Sequence, residues 1–123
     1  MIENKIILIY PIPAVGWDPN KKLWLNRKNK FSKDFIFPKI TTSFEVYKQR
    51  TKSSFDLLDS INNQNIYRIY PHKLFCNNFI ENRCITHDHE HIFYSDDDHP
   101  SYKGAELINN LIIEEIKKIE NIK

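Results

Sequence analysis

An acid and a base are spaced for proton transfer near the C-terminal end of the chain. Asp96 and His99 stand three residues apart, just before a helical pattern. A carboxylate at this distance can accept a hydrogen bond from Nδ1–H of the imidazole, which leaves Nε2 to take a proton from a nucleophile. The same run also suits a simple helix start, with Asp98 or Ser101 as the cap and the acids at the positive helix end. The pair therefore predicts acid–base catalysis, with helix capping as the structural alternative.

Two cysteines offer a second kind of chemistry. Cys76 and Cys84 are the only cysteines of the chain, and in an oxidising compartment we expect them to form a disulfide that closes a short loop. The alternative is a small zinc-binding module whose ligands are His72, Cys76, Cys84 and His87. Successive side chains of a β-strand point to opposite faces, so a strand in this region would place three histidines on one face: His87, His89 and His91. These spacings match no strong zinc-finger pattern, so we predict no metal and no cofactor.

The composition is that of a globular chain with no dominant charge. Of its 123 residues, 41% are hydrophobic and 28% charged, with a net charge of +2. One basic stretch, from Lys21 to Lys33, includes Trp24 and Phe31, but the other cations are scattered among carboxylates, so no nucleic acid is expected. No apolar run approaches the roughly 18 residues needed to span a bilayer. Near Met1 there is also no pattern typical of a signal peptide.

The elements that must position these residues follow a β-α-β pattern. Residues 5–10 form a run rich in β-branched residues, closed by Pro11, which predicts a central strand covered on both faces. Residues 11–42 indicate an irregular segment with a short turn of helix. A helix is predicted from its cap at Ser43 to Asn62, and residues 65–70 alternate as a second strand. The two strands should be parallel.

The C-terminal region ends in a long helix. Leucines and isoleucines fall on one stripe between Ala105 and Ile119, and Lys117 and Lys118 stand near the helix end that favours cations. This pattern predicts an amphipathic helix that covers the sheet. Residues 91–94 suit a short strand or the edge of a hairpin.

These motifs resemble those of a known family. The Asp96–His99 turn, with Tyr102, Gly104 and Ala105, resembles the final block of SGNH hydrolases. More narrowly, the whole chain resembles the SGNH domain appended to membrane acyltransferases of family 3, which modify bacterial cell-surface polysaccharides with acyl groups. The matching pieces are residues 7–13, Gly16-Trp17, Tyr47-x-x-Arg50, Tyr70-Pro71, Phe75-Cys76, Arg83-Cys84 and the Asp96 to Ser101 turn.

The resemblance implies an α/β, three-layer, flavodoxin-like fold with a parallel sheet. It also implies that a serine attacks an acyl ester, that His99 acts as general base and then acid, and that Asp96 holds the tautomer of the imidazole. The implied partner is an acylated glycan at the periplasmic or extracellular face of the membrane, a location that agrees with a disulfide between Cys76 and Cys84.

The chain departs from the family at the nucleophile. The family carries its serine in a Gly-Asp-Ser block and completes the oxyanion hole with a Gly and an Asn, whereas Gly16 and Gly104 are the only glycines here and neither begins such a block. Ser43, Ser53, Ser54 and Ser101 suit caps or helix surface better than they suit a replacement nucleophile.

We therefore expect residues 1–123 to be the C-terminal portion of a single SGNH-like domain, incomplete at its N-terminal side. Such a chain should be inactive alone, and its exposed sheet edge should favour self-association. An alternative is a non-enzymatic remnant that binds a partner through this edge.

Overall fold

The computed structural model describes residues 4–28 and 40–121. They form a mixed α/β fold with a parallel sheet, which confirms the predicted fold class. Strands are β1 (Ile6–Ile9), β2 (Thr41–Ser43), β3 (Ile66–Ile69) and β4 (Arg83–Ile85). Helices are α1 (Pro19–Lys28), α2 (Phe44–Asp59) and α3 (Tyr102–Ile119), and Pro71–Leu74 form a 3-10 helix. Within these ranges no helix has the length and apolar character needed to span a membrane.

The predicted parallel pair is present. β1 pairs with β3 in the register Ile6 to Ile66 through Ile9 to Ile69, and α2 lies between the two strands in the chain. The backbone ladder continues beyond the strands, since Tyr10 N–H donates to Ile69 O at 2.9 Å. Because the two strands are parallel, their carboxyl ends lie at the same end of the sheet. The segments that follow β1 and β3 therefore begin close to each other.

The expectation that β1 is a central strand covered on both faces is wrong for the described part of the chain. There β1 has a single partner strand, and Ile6 and Ile9 remain 47% and 48% exposed. A run of β-branched residues indicates a strand but does not supply the neighbours that would bury it.

Helix α2 begins where its cap predicts. Ser43 Oγ accepts a hydrogen bond from Val46 N–H at 3.2 Å, and the helix ends at Asp59, slightly before the predicted end at Asn62. The Tyr10 ring lies 4.8 Å from the Phe55 ring, and Tyr10 Oη donates to Asp59 Oδ1 at 2.6 Å. These contacts fix α2 against the end of β1.

Helix α3 lies against β3 and the 3-10 helix. It begins at Tyr102, three residues before the predicted start, and it ends at Ile119 as predicted. Its Leu107 and Ile108 pack on a buried cluster whose members come from loops, from β4 and from the segment before α3: Val15, Phe75, Cys76, Cys84, Ile85, Phe93 and Tyr94.

Two predicted segments differ from the structure. The irregular segment 11–42 contains the whole of α1, and its residues 29–39, including Phe31 and two cations of the basic stretch, lie outside the described residues. The predicted strand at 91–94 is reduced to isolated bridges, His87 with Ile92 and Tyr94 with Pro100. The antiparallel pair of β2 and β4 was not predicted.

Candidate functional site

The site is a tight turn just before α3, and its backbone is held by one side chain. Asp96 Oδ1 accepts hydrogen bonds from the backbone N–H of Asp98 at 3.0 Å and of His99 at 2.7 Å. An aspartate that bonds to backbone groups two and three residues later is a recurrent way of closing a turn. The turn therefore brings the Asp96 carboxylate and the His99 side chain together.

The imidazole of His99 faces two carboxylates. Its Nδ1 lies 2.9 Å from Asp96 Oδ2 and 2.8 Å from Asp98 Oδ1. Because a carboxylate accepts hydrogen bonds, these partners place the proton of a neutral ring on Nδ1 and leave Nε2 unprotonated. The His99 side chain is 72% exposed, so the ring is open to solvent. The Asp98 contact was not predicted.

Hydrogen bonds and charges in the turn shift the pKa values of Asp96 and His99. Hydrogen bonds from the backbone N–H groups of Asp98 and His99, with a smaller contribution from the His99 ring, lower the pKa of Asp96 from 3.8 to about 2. The hydrogen bond to Asp96, with the charges of Asp96 and Asp98, raises the pKa of His99 above 6.5. The carboxylate thus stays ionised at neutral pH and makes the imidazole a stronger base.

Two distant segments hold this turn in place. After β1, the backbone N–H of Val15 donates to Asp97 O at 2.7 Å, and the next residue, Gly16, has a φ of 82°. At the start of α1, Asn20 Nδ2 donates to Tyr94 O at 3.1 Å and to Ser95 O at 3.3 Å. These supports could not be predicted from the sequence, because no local pattern indicates that residues 15 and 20 contact residues 94–97.

The capping alternative is also present, through Ser101. Its Oγ accepts from Gly104 N–H at 3.1 Å and donates to Ile92 O at 2.6 Å. Asp98 instead faces the His99 ring. Capping and the carboxylate–imidazole contact therefore involve different side chains and occur together.

The candidate serines have other partners or positions. Ser43 and Ser101 cap α2 and α3, and Ser53 and Ser54 lie exposed on α2. Among the residues that the structure describes, no hydroxyl group is hydrogen-bonded to the His99 ring.

A second turn repeats the same pattern with a different outcome. Asp88 Oδ1 accepts from the backbone N–H of Glu90 at 2.8 Å and of His91 at 2.6 Å, as Asp96 does in its own turn. The His91 Nδ1, however, lies 3.7 Å from Asp88 Oδ1, too far for a hydrogen bond. The Asp-x-x-His spacing therefore permits the ring contact but does not by itself produce it.

The cysteines form a disulfide, and the zinc alternative is wrong. Cys76 and Cys84 are bonded to each other and buried, so neither sulfur is a thiolate ligand. His87 Nε2 accepts from Ile40 N–H at 3.1 Å, and its Nδ1 lies 2.9 Å from Asp88 O. His87 is buried, whereas His89 and His91 are exposed in the turn that follows, so the three do not share a strand face.

The described residues contain one group that could hold a cation. Ligand atoms of Asp96, Asp98 and His99 lie within 4.8 Å of one another. In this exposed turn the same atoms bond to the backbone or to each other, and we assign no metal to them.

Comparison with known proteins identifies the chain over most of its length. Residues 2–114 match the family model described as the SGNH domain fused to AT3 domains. No curated protein and no solved structure gave a significant match.

Proposed function

The chain belongs to the SGNH domains that are fused to AT3 domains, and we propose that Asp96 and His99 form the acid–base pair of its acyl-transfer site. Membership makes the chain a hydrolase- or acyltransferase-like domain. The observation that supports the proposed roles is the imidazole of His99, fixed through Nδ1 by Asp96 at 2.9 Å and otherwise exposed.

In the proposed reaction, Nε2 of His99 takes the proton of a serine hydroxyl as the serine oxygen attacks the carbonyl carbon of an acyl ester. The same proton then goes to the alcohol that leaves, and an acyl-serine remains. A water or a glycan hydroxyl next gives its proton to Nε2 and attacks the acyl carbon. The bond from that carbon to the serine oxygen then breaks, and Nε2 returns the proton to the serine oxygen. Throughout both steps, the Asp96 carboxylate stabilises the imidazolium and holds its orientation.

The 123-residue sequence has no Gly-Asp-Ser block, and we propose that the serine and the oxyanion donors are supplied from outside these residues. On this basis the chain alone turns over no ester through His99. The assembled site would transfer acyl groups, such as acetyl, to or from a cell-surface polysaccharide, together with an AT3 domain.

An ester assay tests both parts of the proposal. With p-nitrophenyl acetate we expect the chain alone to give no saturable turnover, and the rate should be the same for His99→Ala and for the control His91→Ala. When a polypeptide that carries a family Gly-Asp-Ser block is added, turnover should appear, and His99→Ala should reduce it by about 10²–10⁴-fold.

The outcomes separate the two claims. Saturable turnover by the chain alone that depends on His99 would refute the claim of inactivity. Turnover in the complemented mixture that survives His99→Ala, or that falls equally with His91→Ala, would refute the catalytic role of the pair.

A further inference from the structure

A hollow of about 270 Å³ on the surface of the protein is lined by residues of α2 and of the 3-10 helix. Phe44, Tyr47 and Phe55 of α2 supply aromatic walls, and His72 of the 3-10 helix closes one side. None of these residues belongs to the Asp96–His99 turn. A second hollow, lined in part by Asn77 and Asn78, shares Phe44 and His72 with the first.

Among the polar side chains that line this hollow, His72 has a buried ring nitrogen without a hydrogen-bond partner. It is 8% exposed, and its Nδ1 is enclosed without a hydrogen-bond partner. In the described parts of the chain no hydrogen bond reaches Nε2 either. Rings surround the imidazole, with the Tyr47 centroid at 5.2 Å and the Phe55 centroid at 5.7 Å. Burial lowers the pKa of His72, so the ring is neutral at neutral pH and can both donate and accept.

The other polar groups that line the hollow already have partners. Tyr47 Oη donates to Pro11 O at 2.6 Å, and Thr51 Oγ1 donates to Tyr47 O at 2.8 Å. At the rim, the ammonium of Lys48 lies 2.9 Å from Glu45 Oε2 and that of Lys52 lies 2.6 Å from Asp56 Oδ2. The hollow therefore offers aromatic walls, paired charges and one imidazole without a partner.

These features define the ligand that the hollow can accept. A sugar would bring several hydroxyl groups to walls that cannot bond them, and unpaired buried polar groups are unfavourable. A plain hydrocarbon ring has neither a donor nor an acceptor and would form no hydrogen bond with His72. A hydroxyl group can donate or accept, so it suits either tautomer of the imidazole. The volume is sufficient, since an apolar cavity of about 150 Å³ can hold benzene.

We propose that this hollow binds a small neutral phenol, with its ring against Phe44, Tyr47 and Phe55 and its hydroxyl group hydrogen-bonded to Nε2 of His72. The site is independent of the proposed acyl-transfer chemistry, because it shares no residue with the Asp96–His99 pair.

Two probes and three variants of the full chain test the proposal by amide NMR titration. We expect p-cresol to cause saturable shifts at α2 and the 3-10 helix and to bind about fivefold or more tightly than toluene, which lacks the hydroxyl group. His72→Phe keeps a ring but removes the nitrogen, so the two probes should bind equally. The control His91→Phe, at an exposed histidine, should leave the preference for p-cresol unchanged. Thr51→Leu extends a side chain into the hollow and should weaken both probes by about tenfold.

Three results would overturn the proposal: no saturable shift with p-cresol at about 10 mM, equal binding of p-cresol and toluene to the wild type, or a preference that survives His72→Phe. If circular dichroism shows that His72→Phe is unfolded, Thr51→Leu decides the location, and binding that this variant leaves unchanged would refute the site.

Discussion

The carboxylate of Asp96 fixes the backbone of its turn and the imidazole of His99 at the same time. Its Oδ1 accepts from two backbone N–H groups, and its Oδ2 lies 2.9 Å from His99 Nδ1. The backbone bonds are the larger cause of its lowered pKa. An ionised carboxylate held in this way is positioned before any substrate binds, which is what orientation of a general base requires.

Replacing Asp96 by Asn separates the charge from the shape of the side chain. The amide oxygen can still accept from the backbone, but the negative charge beside Nδ1 is lost, so the pKa of His99 should fall toward 6.5. The measurement is an NMR titration of the His99 ring. Asp88→Asn, the same change in the second Asp-x-x-His turn, should leave the pKa of His99 unchanged. A pKa of His99 that is the same in Asp96→Asn and the wild type would contradict this.

The same shifts contribute to the pH dependence of the free energy of unfolding. The native pKa of His99 is raised, so its contribution is present below its unfolded value of 6.5 and is lost as the pH rises through the native pKa. The pKa of Asp96 is lowered from 3.8 to about 2, so its contribution is present above 3.8 and is lost as the pH falls toward 2. In Asp96→Asn, the urea concentration at the midpoint of unfolding should therefore change less between pH 4 and pH 2 than in the wild type.

Helix α3 can begin where it does because residue 104 has no side chain. A Cβ added at Gly104 would overlap the carbonyl group of Phe93, and that group also accepts from Ser101 N–H at 2.8 Å. The clash is with backbone, which cannot move aside as a flexible side chain would. The first turn of α3 is thus packed directly on the segment that leads into the Asp96–His99 turn.

We expect Gly104→Ala to destabilise the protein by about 1–3 kcal/mol, because the overlap outweighs the better helix propensity of alanine. The measurement is urea unfolding followed by circular dichroism. Asn109→Ala, at an exposed position of the same helix, should change the free energy of unfolding by less than about 0.5 kcal/mol. Equal stability of Gly104→Ala and the wild type would show that the close approach at Phe93 is not required.

Elements with a strong local pattern were predictable, and those that depend on distant partners were not. The Ser43 cap, the β-branched run of β1 and the apolar stripe of α3 each lie within one segment, and each was found. Strands β2 and β4 have three residues each, and the residues that pair are about 40 positions apart in the sequence. Neither strand is long enough to show a strand pattern in its own sequence. The same holds at the site. The Asp96–His99 contact is local, whereas Asn20, at the start of α1, donates to the carbonyl oxygen of Tyr94 in the segment that leads into the turn.

At the scale of the whole molecule, β1 has an edge without a partner in the described part of the chain. Its Ile6 and Ile9 are about half exposed, and the strand pairs with β3 alone. A strand edge with apolar side chains is a template for pairing with another chain. The segment that follows β1 carries Val15, which bonds to Asp97 O. A strand that joined this edge in parallel would therefore point its carboxyl end toward the Asp96–His99 turn.

We predict that the chain self-associates through this edge and that Ile9→Lys reduces the association, because a charge on an edge strand opposes pairing. Sedimentation velocity over a range of protein concentrations measures the effect. The matched control is Ile113→Lys, since Ile113 of α3 is also 48% exposed and the two changes are chemically the same. If association depended on exposed apolar side chains in general and not on the edge of β1, both variants would reduce it equally. A wild-type chain that stays monomeric at every concentration would show that the edge is not used for pairing between copies.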